Sequence, residues 1–206
     1  MIAEPLTLPA LSLASLAPAR RFAVARTESP FTFDQQVQVH PGAAWRWTVE
    51  VVDIVDMVLA GEWSAFLTSA GGGRRVFLLG DPTRDTPQGT VSGNPVVDGG
   101  ADVRDETLAV RGLDAGLSGA WLPGDLIQLG TGTAARLHEV QTAADSDGSG
   151  KAALDVWPPL RASYADGENV IYSQPRGVFR MAQNVAEPKI QPPTIHRIKF
   201  EAVEAL

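Results

Sequence analysis

The sequence predicts a mainly β protein with one helix and a small barrel. Three observations carry that expectation. Short apolar runs recur along the second half of the chain, separated by connectors rich in Gly, Asp, Pro and Ser. Only one stretch has helical spacing of its apolar residues. Gly (20) and Pro (15) are both abundant, which favours turns and short elements over long helices.

Residues 1–30 read as an extended arm. The stretch MIAEPLTLPALSLASLAPARR is mildly apolar, but Pro5, Pro9 and Pro18 interrupt it, and Arg20 and Arg21 follow its apolar part instead of preceding it. That is not the layout of a signal peptide. The arm either orders on a neighbouring subunit or is a locally disordered terminus.

Ala43–Val52 predicts a strand with Trp45, Trp47, Val49 and Val51 on one face and Arg46, Thr48 and Glu50 on the other. A helix follows, with Asp53 or Asp56 at its N-cap. Trp63, Phe66, Leu67 and Ala70 share one helical face, and Gly71, Gly72 and Gly73 end it. Arg74–Asp81 is the next strand. The loop-rich run from Asp81 to Gly100 marks a domain boundary.

Beyond it, Glu106–Leu113, Asp125–Gly130, Ala135–Ala143, Lys151–Trp157 and Asn169–Ser173 predict the strands of a small closed or nearly closed barrel. Gly177–Ala182 and Ile195–Leu206 return to strand patterns. In the latter, Ile198, Phe200 and Ala202 alternate with Arg197, Lys199 and Glu201, after a rigid extended connector at Lys189–Thr194. A last strand pairing back onto the first unit makes the barrel an insertion. The expected domains are the arm (1–30), a first unit (31–88 and 178–206, helix about 54–70) and an inserted barrel (89–177).

The 17 Lys and Arg against 24 Asp and Glu give a net charge of -7, with no basic run longer than a pair, so tight DNA or RNA binding is not expected. The absence of cysteine excludes disulfides, thiolate nucleophiles and zinc–thiolate sites. No apolar run approaches the length of a membrane span, so no membrane insertion is expected.

Candidate chemistry is sparse, and no cofactor, metal or catalytic residue is expected. Asp145, Asp147 and Ser149 alternate before Gly150 as in a calcium loop, but Val156 stands where the closing Glu belongs, so a hairpin turn is the better reading. Gly148–Lys151 lacks the earlier Gly and the following Ser or Thr of a phosphate loop. His40, His138 and His196 show no metal-ligand spacing, and His138 reads as a structural histidine on a strand. Of the five tryptophans, Trp45, Trp47 and Trp63 follow strand or helix periodicity. Trp121 and Trp157 are the candidates for aromatic contact with a carbohydrate. A dispersed hydrolase site would need two carboxyls about 5 to 10 Å apart in a cleft.

The run LPGDLIQLG, then RLHEV, then ADSDGSGKAALDVWPPLR, then GENV, resembles small tail proteins of long-tailed bacteriophages and of gene-transfer-agent-like particles. The matching positions are Gly124, Asp125, Val140, Ala144, Asp145, Asp147, Gly148, Gly150, Ala152, Pro158, Leu160 and Arg161. The likeness spans about 43–182 and is strongest over Leu122–Val170. It is greatest to distal tail proteins. It implies a tail-tube-like β-sandwich flanked by one helix, plus the inserted barrel. It also implies a structural, non-enzymatic subunit of a homo-oligomeric ring, usually a hexamer, between tail tube protein and baseplate hub protein at the virion tail tip. DNA would pass through the ring. On that reading, some of Asp53, Asp56, Asp81, Asp85, Asp98, Asp102 and Asp105 line the channel. The alternative is a carbohydrate- or receptor-binding module of the baseplate.

Overall fold

In chain order the strands are β1 (Leu13–Glu28), β2 (Gln35–Val51), β3 (Val76–Leu79), β4 (Gly93–Val97), β5 (Thr107–Leu113), β6 (Leu126–Leu129), β7 (Arg136–Val140), β8 (Lys151–Trp157), β9 (Val170–Ile171), β10 (Gly177–Met181), β11 (Lys189–Gln191), β12 (Ile195–Arg197) and β13 (Lys199–Glu204). One helix, α1 (Met57–Ala70), lies between β2 and β3. The protein is mainly β with one helix, as its composition predicts. The computed structural model describes residues 5–10, 13–184, 189–191 and 195–206. Residues 1–4 and 11–12 of the expected arm, and 192–194 of the expected connector, lie outside the described residues.

The first unit is an antiparallel sheet in the order β1-β2-β13-β10-β3. The alternation along β2 buries Trp45, Trp47, Val49 and Val51, and β13 adds Phe200 and Ala202. The helix lays Ala60, Trp63, Phe66, Leu67 and Ala70 over this face. Asp56 caps it by accepting from the Val58 amide at 2.8 Å, and Gly71 closes it in the left-handed conformation at φ 58°. Phe66 meets Phe77 edge-on at 5.4 Å, and Trp47 meets Phe179 at 5.1 Å. Truncating any one of these buried rings should cost about 3–5 kcal/mol.

The second unit is a six-stranded sheet in the order β4-β5-β8-β7-β6-β9. A bridge between Val96 and Asn169 ties its first strand to the segment entering its last, so the sheet is nearly closed into a barrel. Its interior holds Leu108, Val110, Trp121, Ile127, Leu129, Val140, Leu154 and Val170. Along the chain, β4 to β9 fall between β3 and β10, which are themselves paired.

The segment expected as an arm is built differently. From Leu13 onward it is β1, paired with β2 along its whole length in a long hairpin that turns at residues 29–34. Pro18 is tolerated because β1 is an edge strand with no partner on its other side among the described residues. Strand β13 pairs with β2 only from Arg46 to Glu50, so the outer part of the hairpin is a two-stranded ribbon.

Candidate functional site

The base of that ribbon meets the barrel, and most of the unusual side-chain chemistry gathers there. A wide bulge sets it up. Phe22 faces Ala43 and Val24 faces Val39, so His40, Pro41 and Gly42 stand opposite Ala23 alone. Pro41, which has no amide hydrogen, fits this unpaired stretch. Gly42 is needed for close approach, because a Cβ there would lie 2.8 Å from the Ala23 Cβ.

Next to the bulge, Trp157 at the end of β8 stands edge-on to Trp45 with ring centroids 4.6 Å apart, and its other side meets Phe22 at 5.4 Å. The Arg20 guanidinium lies 5.4 Å from the Trp45 ring and 5.9 Å from the Trp157 ring, within cation–π range of both. Arg20 donates to both carboxylate oxygens of the buried Glu139 on β7, one of them at 2.6 Å. Arg84 donates to the same carboxylate at 3.2 Å, to Asp81 at 2.8 Å and to the Gly124 carbonyl at 3.2 Å. Burial pushes the Asp81 carboxyl up, but hydrogen bonds from Thr83 and Arg84 outweigh it and hold the group below the usual carboxylate range.

A second buried pair fixes the other side of the junction. Arg161, after β8, donates to both oxygens of Glu204 at 2.9 and 2.7 Å and to the Ala43 carbonyl. Glu204 also accepts from the Trp45 amide at 3.1 Å, while the Trp45 indole donates to the Leu137 carbonyl at 3.0 Å. Beside this junction, Phe22, Val24, Val39, Pro41, Trp157 and Pro159 line an open groove of about 440 Å³.

His138 on β7 is fully buried, and its Nδ1 lies 2.7 Å from the Pro158 carbonyl. Burial lowers its pKa to about 4, against the opposing effect of that hydrogen bond, and the Arg161 and Arg136 charges add to the lowering. The imidazole is therefore neutral at pH 7 and Nδ1 carries the proton it donates.

The sequence candidates are placed as follows. Trp121 is fully buried, edge-on to Tyr172 at 5.9 Å, so it offers no surface to a ligand, which corrects the expectation of aromatic contact there. Trp157 is half-buried at the groove. Asp81 is buried and committed to Arg84, so it is not a channel-lining residue. Asp53 is exposed and pairs with Arg197 at 2.8 Å, which holds its carboxyl below the usual range, and Asp56 caps α1. Asp85 is half-buried. Asp98 bridges Arg111 and Lys151 within the barrel, and Asp105 accepts from the Asp102 amide.

The motif residues hold turns together. Asp125 is buried and accepts from the amides of Gln88 (2.7 Å) and Leu122 (2.8 Å). Asp145 accepts from the Gly119 amide at 2.6 Å, and Asp147 from those of Ser149 (2.7 Å) and Lys151 (2.9 Å). The Asp-Gly-Ser-Gly segment is thus a turn entering β8, with its carboxylates occupied by backbone amides. Among the described residues, no group of three His, Cys, Asp or Glu side chains could hold a metal ion, and no helix is long and apolar enough to cross a membrane.

No protein-family model matches the chain, and no curated protein matches it. The sequence pointed to Arg161 only as a motif position and gave no role to Arg20, Glu139 or Glu204. The signal was present for Glu204, which keeps the inward parity of Phe200 and Ala202 on β13. A carboxylate at an inward position needs a buried partner.

Proposed function

We propose that this protein is a structural, non-enzymatic subunit of a phage tail tip, forming a homo-oligomeric ring, most simply a hexamer, that joins the tail tube protein to the baseplate hub protein. The observation that carries this reading is the ribbon of β1 and β2. It extends beyond the sheet with Phe22, Val24, Val37, Val39, Phe31 and Phe33 exposed to solvent. A two-stranded ribbon has little stability of its own, and an exposed apolar face of this extent belongs against another protein.

The rigid junction supports the same reading. Two buried carboxylates, Glu139 and Glu204, are spent on fixing ribbon, sheet and barrel together, which suits a part that transmits position. Asp81 and Glu139 share Arg84, so this neighbouring carboxyl pair is spent on arginine instead of standing free for hydrolysis. An exposed acid such as Asp56 would face passing DNA with like charge. A carbohydrate platform needs exposed aromatic faces, and Trp121 is buried while Trp157 is half-buried and edge-on to Trp45.

The test is the mass of the purified chain in solution, followed by negative-stain imaging alone and with tail tube and hub proteins. Closed rings with a central hole are expected. A chain that stays monomeric and joins no ring in the presence of those proteins would overturn the reading.

A further inference from the structure

We propose that the ribbon's apolar face is the seat for the hairpin tip of a second copy of this chain, with Phe31 and Phe33 of one copy resting in the Phe22–Val39–Trp157 groove of the next. The inference rests on the ring reading above and names the contact that builds the ring.

The register of the ribbon makes it two-faced. Phe22 pairs with Ala43, Val24 with Val39, Arg26 with Val37, and Glu28 with Gln35. Directly paired residues of an antiparallel ribbon share a face. One face therefore carries Phe22, Val24, Val37 and Val39, with Arg26, Glu28 and Gln35 toward the tip, and continues into Trp157 at the groove. The other carries Ala25, Thr27, Gln36 and Gln38. The groove end of the first face is apolar and exposed, with Val39 at 72% and Phe22 at 62% of full exposure.

The tip provides a matching insert. Phe31 and Phe33, at 91% and 71% of full exposure, project from the turn, and Phe33 is held at a positive φ of 59°. The Ser29 and Asp34 backbones close this turn, with the Ser29 amide donating at 2.9 Å. From Phe22 to Glu28 the strand runs about 20 Å. A tip at that distance from the groove on one rigid ribbon cannot fold back into its own groove, so the insert must come from another molecule.

Charge selects between the two exposed apolar patches at opposite ends of β2. The tip carries Glu28 and Asp34. The patch past the far end of β2, Val52, Val55, Met57 and Val58, is flanked by Asp56, which would repel it, while Asp53 there is paired with Arg197. The groove carries one acid, Glu106, but shares its face with the exposed Arg26, which has no carboxylate partner among the described residues. Two phenylalanines and the groove wall they cover would bury on the order of 600–1,000 Å². That is below the size of a stable stand-alone interface, so it suits a weak contact that gains by repetition around a ring. Tip and groove are different surfaces, and a contact of that kind, passed from copy to copy, forms a ring when the rotation between copies closes.

The chain has no cysteine, so single cysteines can be placed in the full protein without background. Phe31→Cys protein is mixed with Val39→Cys protein, or with Gln38→Cys on the opposite face as control, and oxidised. Tip-to-groove docking should give Phe31→Cys/Val39→Cys cross-links about tenfold above the control, because docking raises the local thiol concentration. Phe31→Ser/Phe33→Ser should reduce the oligomer to monomer with its melting temperature kept, since both side chains are exposed.

Equal cross-linking at both faces, or Val39→Cys linking mainly to itself, would overturn the docking. So would a monomer at every concentration. A ring that survives Phe31→Ser/Phe33→Ser overturns the docking and leaves the ring reading standing. A closed dimer with the 31–39 cross-link supports the docking and overturns the ring.

Discussion

Arg20 and Glu139 stand 119 residues apart in the chain and 2.6 Å apart in space. That one contact joins the ribbon to the barrel, with the guanidinium laid against Trp45 and Trp157. Arg20→Met removes the charge and keeps the length. Arg84 still reaches Glu139, so the carboxylate is not orphaned, and the expected loss is about 1–3 kcal/mol in urea unfolding. Amide exchange should rise along the ribbon before the barrel. Arg20→Lys should recover less than half, because an ammonium keeps the charge but lacks the planar guanidinium that lies against the Trp45 and Trp157 rings. Wild-type exchange rates in Arg20→Met would remove the anchoring role.

Arg161 and Glu204 form the more buried pair. Breaking it leaves a carboxylate inside the protein together with the unpaired carbonyl of Ala43. Arg161→Met should cost about 3–5 kcal/mol. In a double-mutant cycle, Arg161→Met with Glu204→Gln should cost clearly less than the two single changes added. Additive losses would mean that the residues act separately.

The parts of this architecture that bury a face were readable in the sequence. Trp45 to Val51 and Ile198 to Ala202 alternate because one side of each strand is core, and Trp63 to Ala70 repeat at helical spacing for the same reason. The ribbon was not readable. Its outer half has no core of its own to face, the alternation of Val37 and Val39 with Gln36 and Gln38 is short, and Pro18 and the Arg20–Arg21 pair look like the end of a pattern. Strand β4 was hidden by Gly93 and Pro95, which sit at a shift of register against β5. The junction needed three dimensions. Arg20, Glu139, Arg161 and Glu204 come from four distant segments, and only the inward parity of Glu204 hinted at a partner.

Two glycines of one turn should behave oppositely. Gly150 has a φ of 72°, and a Cβ there would stand 2.1 Å from the Leu113 carbonyl oxygen. Gly148 has open space around its Cβ position and no positive φ. Gly150→Ala should cost about 3 kcal/mol or more, from the clash together with left-handed strain. Gly148→Ala should be within about 0.5 kcal/mol of wild type. Millimolar calcium should leave the melting temperature unchanged, since Asp147 is taken by the Ser149 and Lys151 amides. A calcium-dependent rise would reinstate the metal reading.

His138 should dominate the acid side of the stability curve. Burial holds its folded pKa at about 4, against 6.5 for an unperturbed imidazole. Above pH 6.5 neither folded nor unfolded chain binds the proton, and His138 imposes no penalty. Between 6.5 and 4 the unfolded chain takes up a proton that the folded one refuses, so stability falls as pH falls. Below 4 the penalty is complete, at about 3 kcal/mol. Asp81 acts lower down: its folded pKa is depressed, so its contribution is present above the unfolded carboxylate value and is lost only below it. The window from 6.5 to about 4.5 therefore isolates the histidine. His138→Asn keeps a donor toward Pro158 and cannot titrate. Urea midpoints measured from pH 7 to 4 should slope steeply in the wild type and stay nearly flat in the variant down to about pH 4.5, where the carboxylates take over. Parallel slopes in the two proteins would mean that the acid sensitivity lies elsewhere and that His138 is not held neutral by its burial.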